Sequence, residues 1–177
     1  MTKDGVLRSV IILFQDTDSV SSLREMQLRV AKKYGGSSAL QLPLHMTLVR
    51  WRDNSDTITE MLGRFHRRPV AARVTLGKIR LVQRAHSVWY SVFPSRAIRN
   101  LRSEIRTQLE RMSIPSESVI AHQAYHITIA YKDFSENVLA EIAELVTREQ
   151  KSTGRELLST HAVICEQDAN GKWGIAD

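Results

Sequence analysis

Two tetrapeptides of one design recur in the sequence, His45-Met46-Thr47-Leu48 and His126-Ile127-Thr128-Ile129. Along an extended strand, side chains alternate between faces, so the His and Thr of each motif point one way and their apolar neighbours point the other. Each motif therefore offers an imidazole and a hydroxyl to a single surface. If the two surfaces meet, two imidazoles flank two hydroxyls. Histidine titrates near pH 6.5, so one ring can take a proton from water while the other gives one to a departing oxygen. Opening a strained cyclic phosphodiester needs those two roles, with Thr47 and Thr128 holding the non-bridging oxygens and phosphorus in line. His45 and His126 are the expected catalytic residues, with acid and base not yet divided between them. No metal and no cofactor is expected.

The elements that must carry these motifs can be read from apolar periodicity. Strands are expected over Arg8 to Phe14, Leu44 to Trp51, Val70 to Val82, Ser87 to Phe93 and Tyr125 to Tyr131. A last hairpin, Leu157 to Glu166 and Lys172 to Ile175, turns at Asp168-Ala169-Asn170-Gly171, where Asn-Gly is a strong turn signal. Helical spacing appears over Asp18 to Lys33, ended by Gly35-Gly36, and over Thr57 to His66. It recurs from Ile98 to Leu109, after Pro94-Ser95 and before Pro115, and over Asn137 to Arg148. Gln150 to Gly154 is the one loose stretch. Each half thus repeats helices and strands around its own His-x-Thr. That weak internal repeat suggests two lobes related by an approximate two-fold, within one bilobal domain spanning 1–177.

Composition narrows the partners. The chain has 177 residues, 42% apolar, with a formal charge of +6, which favours an anionic ligand. Arg99, Arg102, Arg106 and Arg111 fall at helical spacing beside Glu104 and Glu110, the pattern of a solvated helix face rather than a nucleic-acid track. Cys165 is the single cysteine, so no internal disulfide or cysteine zinc cluster can form. No apolar run reaches the roughly 20 residues of a membrane span, and the N-terminus does not read as a signal peptide. A cytoplasmic monomer is expected. His66 and His86 read as surface residues, His161 as a strand residue without a role, and His122 as a loop residue.

Together, the paired motifs, the intervening Val88-Trp89-Tyr90-Ser91-Val92 strand and the order of elements resemble the two-histidine (2H) phosphoesterase superfamily, over essentially the whole chain. The resemblance implies an α+β bilobal fold, with two antiparallel sheets lining a central cleft and helices outside. Ala130-Tyr131 after the second motif, and Val163 to Asp168 followed by Gly171-Lys172-Trp173, are similar to the cyclic phosphodiesterase branch. RNA ligase-like members typically have arginine where Tyr131 stands. By that resemblance the substrate is a small nucleotide or RNA end bearing a cyclic phosphate, of the nucleoside 2′,3′-cyclic or ADP-ribose 1″,2″-cyclic type, and Tyr131 helps to hold it. Strict alternation from His126 would turn Tyr131 away from the cleft unless the strand twists or ends. Tyr90 is the better match for a base-stacking aromatic, with Trp89 on the opposite face; Trp51 is a second candidate. Arg50 and Lys132 could add charge near phosphate. Two alternatives stand beside this reading: action on cyclic or 2′-5′-linked oligonucleotides, and an RNA-binding module without chemistry.

Overall fold

The computed structural model describes residues 5–53, 60, 62–114, 125–149 and 156–176. Seven strands are present among them: β1 (Val6–Phe14), β2 (His45–Asp53), β3 (Arg68–Val82), β4 (Ser87–Pro94), β5 (His126–Tyr131), β6 (Glu156–Gln167) and β7 (Trp173–Ile175). The helices are α1 (Asp18–Tyr34), α2 (Arg96–Arg111) and α3 (Glu136–Glu149). His122, the Pro115 break and the loose Gln150 to Gly154 stretch lie outside the described residues, as do Thr57, Ile58, Thr59 and Met61 of the expected Thr57 to His66 helix. Leu62 and Phe65 from that segment are fully buried, as its apolar spacing requires.

The strand pairings among the described residues are antiparallel, in the order β2-β1-β6-β3-β4-β5, with β7 added to β6. The two expected sheets are the wings of one hydrogen-bonded array. β2, β1, β6 and β7 form one wing and β3, β4 and β5 the other, joined where Arg68 to Thr75 pairs with Glu156 to Ala162. β3 serves both wings, pairing with β6 through its first half and with β4 through its second. Its ladder slips at Gly77, where a Cβ would lie 2.5 Å from Ser91 Oγ, so only glycine lets β4 approach there. The outermost strands, β2 and β5, come back into contact with one another. Curvature of the array thus brings the two motif strands side by side.

A large apolar core carries most of this arrangement, beside a smaller cluster of Ile11, Leu42, Val163 and Cys165. α1 packs on β5 and β6, α2 on β2, β3 and β4, and α3 on β3, β4 and α1. Val10, Ile12, Met46, Leu48, Ile127 and Ile129 are almost wholly buried in the same cluster as Leu23, Ile105 and Ile142 from the three helices. Each such side chain contributes about 1.5–3 kcal/mol on burial. α1 starts at Thr17, whose hydroxyl accepts from Val20 N, and stops at Gly35 with φ 87°. One expectation about α2 is overturned: Arg102 is buried and sits 4.7 Å from the Tyr125 ring, so its long stem and planar head cover an aromatic rather than facing water. No helix among the described residues is long and apolar enough to cross a membrane.

Candidate active site

Both motifs line one cleft, which also receives Arg50, Trp89, Tyr131, Lys132 and Trp173. The reason lies in a local feature that occurs twice. In β2, Ile11 pairs with Thr47 and Val10 with Val49, leaving Leu48 as an extra residue. In β5, Trp89 pairs with Thr128 and Val88 with Ala130, leaving Ile129 extra. Each His-x-Thr is followed at once by a one-residue bulge, which reverses the facing of everything beyond it. Leu48 and Val49, like Ile129 and Ala130, are consecutive yet all buried in the core. The fifth residue after each histidine consequently returns to the cleft, as Arg50 in β2 and Tyr131 in β5.

The structure corrects two expectations, one of them through a bulge, and a bulge explains a third. Trp51 is fully buried in the core rather than sharing the His45 face, because the bulge at Leu48 inverted it. Tyr90 is also fully buried in the core and does not line the cleft; β4 is regular through Trp89 to Ser91, and its neighbour Trp89 faces His126 instead. The two rings stack with centroids 4.0 Å apart and planes 25° from parallel. Tyr131 does line the cleft, five residues after His126, because the bulge at Ile129 restores its facing.

His45 is half-buried, and its Nδ1 lies 2.8 Å from the Pro43 carbonyl oxygen. A carbonyl can only accept, so Nδ1 carries the proton and Nε2 keeps its lone pair. Burial pushes the His45 pKa down to about 4; the Pro43 hydrogen bond opposes this, and the charges of Arg50, His126 and Arg24 add to it. His45 is therefore neutral at pH 7, and its electrostatic coupling to His126 places both rings in one field. Arg50 lies 4.9 Å from the Trp173 ring, and its buried Nε has no hydrogen-bond partner among the described residues.

Two polar residues of α1 fix the wall opposite the motifs. Arg24 donates to the Leu40 and Leu42 carbonyls at 3.2 Å each, holding the short 3-10 turn Ser38–Leu40 against the cleft. Gln27, almost fully buried, donates to the Thr128 carbonyl at 2.7 Å and to the Ala39 carbonyl at 3.4 Å. Gln27 thus supplies a partner for the backbone of the second motif immediately before its bulge. Asp133 accepts from Ser38 N and Oγ at 2.7 and 2.5 Å, closing the same wall. None of these three had a signal in the periodic pattern; Arg24 and Gln27 read as the polar face of an amphipathic helix.

Among the side residues one expectation changes, and two residues gain a place at the cleft. His66 is half-buried and accepts from Ile164 N at 3.1 Å, so it is a structural contact rather than a surface residue. His86 is exposed but lines the cleft rim. Trp173, noted in the sequence only for its hairpin, lines the cleft and donates its backbone N–H to Gln41 Oε1 at 3.0 Å. Cys165 is buried, and burial pushes its thiol up to about 12, which removes it as a nucleophile.

The model of the 2′-5′ RNA ligase superfamily matches residues 15–168, a span that includes both motifs and both bulges. Among solved structures, Escherichia coli LigT in complex with NADP+ is similar at 16% identity and a TM-score of 0.61, covering 98% of this chain and 95% of that one. The TT0787 protein of Thermus thermophilus is similar at 16% identity and a TM-score of 0.57, covering 97% and 95%. At these identities the likeness is one of fold. No curated protein gives a significant match to the sequence.

Proposed function

This chain belongs to the 2′-5′ RNA ligase superfamily of two-histidine phosphoesterases, whose chemistry is of phosphodiesterase or ligase type, and from that premise we propose that it hydrolyses a cyclic phosphodiester on a small nucleotide or an RNA end. The observation that carries the reading is the convergence of both His-x-Thr pairs on one cleft, with His45 held in the neutral tautomer that leaves Nε2 able to take a proton. His45 is the general base toward water, and His126, braced against Trp89, is the general acid toward the leaving ribose oxygen. Thr47 and Thr128 donate to the non-bridging oxygens. Arg50, with a buried Nε that lacks a partner among the described residues, neutralises the charge that grows on them in the transition state. Water adds at phosphorus, the bond to one ribose oxygen breaks, that oxygen receives the His126 proton, and the product is a phosphate monoester.

The lining of the cleft supports this division of labour. Among the described residues, imidazoles, hydroxyls and cations line the cleft without a carboxylate, a poor donor set for a hard divalent cation and a good one for phosphate. The enclosed volume of about 220 Å³ is below the roughly 300–1,000 Å³ of drug-sized ligand sites, which suits a cyclic phosphate and its sugar with the remainder outside. LigT has been crystallised with NADP+, ATP and 3′-AMP, ligands of the corresponding chemical class.

A substrate panel in the presence of chelator, followed by phosphorus NMR, tests the proposal. Nucleoside 2′,3′-cyclic phosphates or ADP-ribose 1″,2″-cyclic phosphate should open to monoesters without added metal. Turnover of 2′-5′-linked oligonucleotides alone would move the assignment to the oligonucleotide reading. Tight, salt-sensitive RNA binding without turnover of any substrate would leave only a binding module.

A further inference from the structure

Beyond the two motifs, the cleft continues to a rim that the reaction does not use. Along the β4–β5 ribbon, Trp89 is paired with Thr128 and Ser87 with Tyr131. Past that last pair the chain leaves the sheet on both sides. The turn Gln83–Ala85 with His86 closes one side, and Lys132 the other. Arg84, His86, Ser87 and Lys132 all line the cleft there.

Four features set this end of the cleft apart. Arg84, His86 and Lys132 are exposed and have no ion pair among the described residues, whereas Arg29, Arg64, Arg68 and Arg73 elsewhere on the surface each face a glutamate. The acid adjacent in sequence, Asp133, is turned to Ser38 and does not neutralise them. The backbone under the cluster is locked in an uncommon state. His86 and Lys132 are non-glycine residues at φ 44° and 58°, and the Lys132 N–H donates to the His86 carbonyl at 2.8 Å. Finally, Ser87 is 1% exposed, shares the Trp89 face of β4, and its hydroxyl has no hydrogen-bond partner among the described residues.

We propose that this rim is a second phosphate-binding subsite, in which Arg84 and Lys132 hold a phosphate located one nucleoside away from the cyclic one, with His86 and Ser87 as further donors. Guanidinium, ammonium, imidazole and hydroxyl groups without a carboxylate match phosphate oxygens. Lys132 stands four positions after Thr128, at most about 13 Å of strand. One nucleoside and the reach of the Lys132 and Arg84 side chains close that span. The preferred substrate therefore carries a phosphate on its 5′ side, either a terminal 5′-phosphate or the linkage to a preceding nucleotide. The inference rests on the cyclic phosphodiesterase reading for its substrate, though not for its binding site.

Calorimetry on the intact protein tests the subsite without turnover, by comparing a nucleoside 2′-phosphate with the matching nucleoside 2′,5′-bisphosphate. The bisphosphate should bind roughly tenfold tighter. Arg84→Gln should remove most of that gain and leave the monophosphate affinity within about twofold, and Lys132→Asn, which keeps a residue that tolerates positive φ, should also remove most of the gain. Kinetics then separate the two sources: a 5′-phosphorylated nucleoside 2′,3′-cyclic phosphate against a dinucleotide ending in a cyclic phosphate, the latter also with an uncharged methylphosphonate linkage. A gain in kcat/KM with the charged linkage that the uncharged one lacks supports the subsite. Equal affinity for the mono- and bisphosphate, or an equal loss for both ligands in Arg84→Gln, overturns it. A retained bisphosphate gain with no turnover of any cyclic phosphate would instead overturn the hydrolytic reading alone.

Discussion

β2 and β5 solve the same structural problem with different chemistry at the ends. Both carry His-x-Thr, both insert one extra residue directly after it, and both bury that extra residue together with the one that follows. Yet β2 returns an arginine to the cleft and β5 a tyrosine. One imidazole is held by a carbonyl and pushed to a pKa of about 4, whereas the other is stacked on an indole. The repeated backbone presents two equivalent His-x-Thr segments to one cleft. On the proposed reading, the unequal side chains divide the cleft into a base side and an acid side, which an in-line displacement needs because water arrives on one face and the leaving oxygen departs from the other.

The comparison breaks first at the histidines. His45→Ala and His126→Ala should each lower kcat by about 10²–10⁴-fold, and the double variant should fall little further, since residues that act as a unit are not additive. Steady-state rates on a 2′,3′-cyclic nucleotide measure this; near-wild-type turnover in both single variants would sink the two-sided frame. The asymmetry is sharpened at the fifth positions. Arg50→Gln should lower kcat by about 10- to 100-fold, and Tyr131→Phe by less, because only the cation meets developing charge. Sign matters in the accompanying pH profile. His45 must be unprotonated to act, so kcat/KM in the wild type should hold down to about pH 4 and fall below it. Removing the Arg50 charge removes one influence that lowers the His45 pKa, so in Arg50→Gln the acid limb should move to higher pH. A limb that stays in place would mean that Arg50 does not share the field of His45.

The smallest kinetic effects separate the neighbours Trp89 and Tyr90. Trp89→Ala strips the ring that braces His126 and should cost kcat several-fold, in line with the about 0.5–1.5 kcal/mol of a ring pair. Tyr90→Phe keeps the core shape and should leave kcat and KM within about twofold. Trp51→Ala, by contrast, should act on stability, lowering it by about 3–5 kcal/mol in urea titrations through the cavity it opens, with the cleft chemistry retained.

The sequence by itself determined the strands, three of the helices and the two His-x-Thr pairs, because apolar periodicity and local turn chemistry act over a few residues and leave their mark in residue order. It also carried enough to resemble the family to which the chain belongs. Its failures fall where alternation stops being a local property. Nothing in Thr47-Leu48-Val49 or Thr128-Ile129-Ala130 announces an unpaired residue, since a bulge is defined by what the neighbouring strand does. Parity counted along the chain therefore puts Arg50, Trp51 and Tyr131 on the wrong side of the two insertions. Trp89 and Tyr90 are equally apolar to a period-2 reading, and only packing of β4 against α2 and α3 chose which ring went inward. Gln27 and Arg24 look like solvent-facing residues until tertiary contact brings the Thr128 carbonyl and the Ser38–Leu40 turn to them. Residue order fixed which chemistry was available; the curvature of the array and its two bulges decided which side chains share the cleft, because those features arise from pairings between segments far apart in the chain.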